Sequence, residues 1–113
     1  MQECIFCKII TGEIPSQVVY QDDKVFAFRD IAPATPVHVL VIPKKHISSL
    51  DDVGMEDADL MGHILLTTAK LAKELGLAKG YRLVANCGEE GGQTVHHLHF
   101  HLLGGRQMQW PPG

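Results

Sequence analysis

The sequence predicts an α+β fold, a five-stranded antiparallel sheet with one long and one short helix. Three features carry that reading. Short runs rich in β-branched and aromatic residues recur between turn signals, and one long stretch shows helical spacing instead. The last run alternates histidine with large apolar residues, the period of a strand with one buried face. With 113 residues and 45% hydrophobic side chains the chain can bury one core and is too short for two, so residues 1–113 are read as one domain.

The elements follow in order. Residues 4–12 place Ile5, Phe6, Ile9 and Ile10 at helical spacing, closed by Gly12 and Pro15, which marks a short leading helix. Residues 18–20 and 25–28 are β-favouring runs separated by Gln21, Asp22, Asp23 and Lys24, and so form a hairpin with Asp30 just past its second arm. Pro33 and Pro36 bracket a turn before residues 37–42, an apolar run whose one polar member is His38 and which stops at Pro43. This strand is expected to be covered on both faces. Residues 55–75 put Leu60, Ile64, Leu71 and Leu75 on one stripe, with Glu56, Asp57 and Asp59 at the start and Gly76 at the end, the pattern of the long helix. Residues 81–86 form another strand, Gly88, Glu89, Glu90, Gly91 and Gly92 a loop, and residues 97–103 the last strand before Gly104 and Gly105. The closing Trp110, Pro111, Pro112 and Gly113 cannot be regular structure.

Composition narrows the function. A formal charge of -3 with scattered lysines and arginines offers no broad positive face to a nucleic-acid polymer. The N-terminus reads as no export leader and no run reaches membrane-spanning length, so a cytoplasmic chain with no membrane partner is expected. Three cysteines are an odd number, and their one close pair, Cys4 and Cys7, invites a metal reading over a disulfide.

The chemistry concentrates in residues 91–101. Alternation directs His97, His99 and His101 one way and Leu98, Phe100 and Leu102 the other. Histidines on a solvated face and a His-x-His metal site are the competing readings, although no acid lies in this run to orient a metal ligand. The preceding Gly91 and Gly92 can turn successive N–H groups inward, and Gln93 and Thr94 bring side-chain donors, an anion cradle facing the imidazoles. The loop lacks the Gly-Lys-Ser/Thr ending of a P-loop.

His97-Leu98-His99-Phe100-His101-Leu102-Leu103 resembles the His-x-His-x-His motif of the histidine triad superfamily. Gly91 to Val95 before it, Gly104 to Met108 after it and the closing Trp110-Pro111-Pro112-Gly113 resemble the Hint branch, the nucleoside phosphoramidases. So do Phe28-Arg29-Asp30-Ile31, Pro36-Val37-His38 and Val41 to His46, so the resemblance spans nearly the whole chain. The Fhit-like dinucleoside polyphosphate hydrolases, which usually lack this tail, rank second, and a nucleotide-binding regulatory protein with slow residual hydrolysis is a further alternative.

The resemblance implies that His99 is the nucleophile toward a nucleotide α-phosphate, forming a nucleotidyl intermediate, with His38 and His97 holding its tautomer and His101 touching the phosphate. Thr94, standing where serine is usual, joins Gly92, Gln93 and Val95 around the phosphate, while Asp30 meets the ribose hydroxyls. Phe6, Ile14, Phe28 and Ile31 would line the slot of a purine base in an AMP-like substrate, and Asn86 matches a position near ribose or phosphate. His96 stands where the animal enzymes have tyrosine and is expected to point away from the triad and act structurally. Some bacterial members bind zinc through residues matching Cys4, Cys7, His46 and His97, which implies a closed, structural zinc and no cofactor required for catalysis. The family also implies a homodimer whose sheets join, with residues 104–113 reaching toward the partner.

Overall fold

The computed structural model describes residues 3–113. It contains α1 (Ile5–Thr11), β1 (Val18–Gln21), β2 (Val25–Arg29), β3 (Val37–Pro43), α2 (Ala58–Glu74), β4 (Tyr81–Val84) and β5 (Phe100–Gly104). The five strands form one antiparallel sheet in the order β1-β2-β3-β5-β4. The predicted fold class holds.

Strand alternation divides the core between the two faces of this sheet. Val25, Ala27, Val39, Val41, Phe100 and Leu102 point to one side and pack with Ile64, Leu71 and Ala72 of α2. Phe26, Phe28, Leu40 and Ile42 point to the other and pack with Phe6 of α1. β3 is therefore covered on both sides, which explains its unbroken apolar run. His38 and His101 lie on the α1 side, since His101 pairs with Leu40 and Phe100 with Val41.

Three element boundaries differ from the sequence reading by two residues or more. The long helix begins only at Ala58, because residues 55–57 form a 3-10 turn in which Asp57 accepts the Gly54 N–H at 3.0 Å. β4 stops at Val84 instead of residue 86. The largest change is in the last strand, where residues 97–99 lie outside the ladder and pairing starts at Phe100. The inward and outward alternation nevertheless persists, with Leu98 in the α2-side core. His96 sits on a bend and is exposed, so strand alternation does not describe it.

Among the described residues no helix is long and apolar enough to cross a membrane. β4 and β1 are the sheet edges. α2 leaves Leu66 74% exposed, and the tail leaves Trp110 83% exposed. Arg82 ties the tail back by donating to the Gln109 carbonyl at 2.9 Å.

Candidate active site

Two groups of imidazoles form on the α1 side of the sheet, separated by the ring of Phe6. The first is a row of His99, His101 and His38, with ring centroids 5.0 Å apart between His99 and His101 and 5.2 Å between His38 and His101. Backbone groups set the proton positions along it. The Ala34 N–H donates to His38 Nδ1 at 3.0 Å, so the neutral His38 ring carries its hydrogen on Nε2. That Nε2–H donates to His101 Nδ1 at 2.9 Å, with Asp30 Oδ2 3.5 Å away, and leaves the His101 proton on Nε2. Burial, with His99 and His38 adding to it and Asp30 opposing, pushes His101 down to about 4, so it is neutral at pH 7.

His99 is fixed independently. Its Nδ1–H donates to the carbonyl of His97 at 2.7 Å, which leaves the Nε2 lone pair free. A neutral ring held in this tautomer and buried has the form of a nucleophile. Of the two residues expected to hold His99, His97 bonds to it through its backbone carbonyl, whereas His38 bonds to His101.

The second group is Cys4, Cys7, His46 and His97, whose potential ligand atoms all lie within 4.8 Å of one another. His97 Nδ1 stands 3.3 Å from Cys4 Sγ, 3.6 Å from Cys7 Sγ and 3.2 Å from His46 Nδ1, while His46 Nδ1 is 3.4 Å from Cys7 Sγ. A tetrahedral zinc with bonds of about 2.0 Å to nitrogen and 2.3 Å to sulfur places its ligand atoms roughly 3.3 to 3.6 Å apart across those pairs. The four side chains fit such an ion. His97 Nε2–H donates to the Pro43 carbonyl at 2.8 Å, which turns the Nδ1 lone pair into the cluster. Burial and the Cys4 neighbour push the Cys7 thiol up, and burial pushes His46 and His97 down.

The loop before the histidines is built differently from a plain donor cradle. Gln93 Nε2 donates to the carbonyls of Ser48 at 2.8 Å and Val95 at 3.0 Å, and its Oε1 accepts the Gly88 N–H at 3.1 Å. Its amide therefore shapes the loop, and its hydrogens are not free for a phosphate. The Gly92 and Gln93 N–H groups close the turn onto the Glu89 and Gly88 carbonyls. Among the described residues, the Thr94 and Val95 N–H groups make no internal hydrogen bond, and the Thr94 side chain is exposed. Gly92, at φ 80, supplies the left-handed backbone the turn needs.

Around the nucleoside positions the agreement is mixed. Phe6 meets Phe28 at 5.5 Å and His99 at 5.1 Å, both edge-on, and Val95 packs on the same cluster. Ile31 is 98% exposed and, with Asp30 and His38, lines a surface cleft of about 660 Å³ that runs to Pro15 and Gln17. Ile14 is half-buried but is not among the residues packed on Phe6 and Phe28; Ile9 and Ile10 are, and the reading of single positions missed them. Asn86 follows β4, half-buried, with no side-chain hydrogen bond among the described residues. Also missed were the Ala34 N–H and the Pro43 carbonyl, backbone groups that leave no mark in residue types.

The stretch from Pro43, the last residue of β3, to Ser48 touches the cluster, Leu98 and the glycine loop. Pro43 O takes His97, His46 enters the cluster, Ile47 O accepts the Leu98 N–H at 2.6 Å and Ser48 O takes Gln93.

Comparison with known proteins gives four findings. A family model described as the HIT domain matches residues 11–108. An uncharacterised HIT-like protein of Synechococcus elongatus is 55% identical over 112 residues, covering 99% of this chain and 98% of that protein. A HIT family hydrolase from Legionella pneumophila is similar at a TM-score of 0.96 and 55% identity, covering 98% of this chain and 100% of that one. A zinc-bound histidine triad family protein from Mycobacterium smegmatis is similar at 0.79 and 34%, covering 93% of this chain and 76% of that one.

Proposed function

Since this chain belongs to the HIT domain family, we propose that it is a hydrolase that cleaves the P–N bond of nucleoside 5′-monophosphoramidates. The observation that carries the reading is the free Nε2 of His99, left by the bond from Nδ1–H to the His97 carbonyl at 2.7 Å. In the first step this lone pair attacks the α-phosphorus. The P–N bond breaks, its electron pair leaves with the amine, and the amine takes up a proton. Water then attacks phosphorus, the bond from phosphorus to His99 breaks, and the nucleoside monophosphate is released.

The neighbouring groups fit these steps. His101, with its proton on Nε2, offers a neutral donor to a phosphoryl oxygen, and the Thr94 and Val95 N–H groups offer two more. Asp30 keeps one oxygen within reach of a ribose hydroxyl while the other bonds to the Ala32 N–H at 2.8 Å. Phe6 and Phe28 form the apolar wall beside the nucleophile on which a purine base would rest.

Cys4, Cys7, His46 and His97 are assigned to a structural zinc. When bound, zinc supplies a fixed divalent charge that holds four side chains together, with no coordination position open for water. A homodimer belongs to the same reading: β4 is an open sheet edge, α2 exposes Leu65 and Leu66, and the tail exposes Trp110. Sizing in solution should give twice the chain mass. The test of function is turnover of an adenosine phosphoramidate, which His99→Ala should abolish while retaining affinity for the monophosphate.

A further inference from the structure

The nucleophile depends on a carbonyl that the sheet does not hold. His97, Leu98 and His99 lie outside the β3–β5 ladder, so no strand pairing aims the His97 carbonyl. Three other contacts do that work: the Leu98 N–H to Ile47 O at 2.6 Å, the His97 Nε2–H to Pro43 O at 2.8 Å, and His97 Nδ1 within the Cys4, Cys7 and His46 cluster. One residue thus carries a ligand atom on its ring and the acceptor for His99 on its backbone.

A second path runs from the same cluster to the same ring. Cys4 is the N-cap of α1 and Cys7 lies in its first turn, with Cys7 N–H donating to Cys4 Sγ at 3.3 Å. Phe6 sits between them. Its ring is buried, stands 5.1 Å from His99 at 88° and 6.0 Å from His97 at 66°, and forms the wall toward Phe28. A cation held by the two thiolates fixes the first turn of α1, and with it the ring beside His99.

We propose that the Cys4, Cys7, His46 and His97 cluster is a positioning device for the nucleophile: its occupancy by a divalent cation sets the tautomer and orientation of His99 through the His97 carbonyl, and the nucleoside wall through Phe6. This rests on the zinc assignment above. It goes beyond it in making the ion a control on nucleotide affinity and on His99, where a purely structural ion would act on stability alone.

The test uses the whole chain, zinc-loaded and chelator-stripped, at a temperature below both melting transitions. Long-range proton–nitrogen NMR of the imidazoles reads the His99 tautomer, and titration with AMP reads affinity. Loaded protein should show one His99 species protonated on Nδ1. Stripped protein should show a mixture and bind AMP about tenfold more weakly, the scale on which residues behind a ligand act, and zinc should restore both. Cys7→Asp, which keeps a ligand, should retain zinc and the His99 signature, whereas Cys7→Ala should lose both. Cadmium, with longer bonds to the same donors, keeps the chain folded and should shift the His99 Nδ1–H resonance from its zinc position. Identical His99 resonances and AMP affinity in zinc-loaded, cadmium-loaded and stripped protein would overturn the positioning role and leave a structural zinc. A wild-type chain that takes up no zinc would overturn the zinc assignment itself.

Discussion

The two imidazole groups use the same side chain on the same face of the sheet and arrange it in opposite ways. In the Cys4, Cys7, His46 and His97 cluster the possible ligand atoms converge, all within 4.8 Å of one another. In the His38, His101 and His99 row the protons run in sequence, each ring's partner on one nitrogen deciding what the other presents. A carbonyl on Nε2 turns His97 Nδ1 toward Cys4, Cys7 and His46, and a carbonyl on Nδ1 turns His99 Nε2 away from the backbone. Residue type sets what a histidine can do, and the backbone group behind it selects which.

The largest effect is expected from His99→Ala, which should reduce turnover of an adenosine phosphoramidate by more than about ten-thousand-fold, the scale of losing a nucleophile. Retained turnover would place the nucleophile elsewhere in the row. In the converging cluster, Cys4→Ser with Cys7→Ser should act first on stability. Loss of a bound ion present at about a thousand times its dissociation constant removes on the order of 4 kcal/mol, readable by thermal or urea melts, with a smaller fall in turnover. Equal melting of the variant and wild type in zinc would show that the cluster holds no ion.

The row should respond to pH in a definite direction. His101 is held at about 4 when folded, against about 6.5 for a free imidazole, so the unfolded chain binds the proton first. Its contribution to stability is whole above about 6.5 and is lost as pH falls toward 4. His38→Ala removes the donor that fixes the His101 proton and should lower turnover about tenfold with little change in zinc content. An unchanged rate would separate His101 from the chemistry. The smallest effect expected is at His63, whose Nε2 meets Asp22 at 2.6 Å on the other side of the sheet. His63→Ala should change stability by less than about 1 kcal/mol, and the rate not at all.

How much of this was legible in the sequence follows the same division. The sheet and α2 were readable because alternation and helical spacing are periodic, and a core face writes itself as a repeated residue type. The late start of β5 was not, since His97 and Leu98 keep the alternating burial of a strand while their hydrogen bonds go to Pro43 and Ile47. The named site residues were chosen by motif, and the structure gathers most of them. Ile14 stands apart from the Phe6 and Phe28 wall because the chain has already left α1, its N–H bonding to the Lys8 carbonyl at 3.2 Å. Gln93 has the composition of a phosphate donor but the partners of a loop brace.

The stretch 43–48 gives this arrangement an unusual fragility. Surface connections ordinarily absorb insertions and deletions at little cost, because few contacts depend on their length. Here one short connection is a gauge against which the His97 ring, the Leu98 amide and the glycine loop are all set. Lengthening it by a single residue would put His99, the Cys4, Cys7, His46 and His97 cluster and the glycine loop out of step together, though no residue of the histidine row had changed.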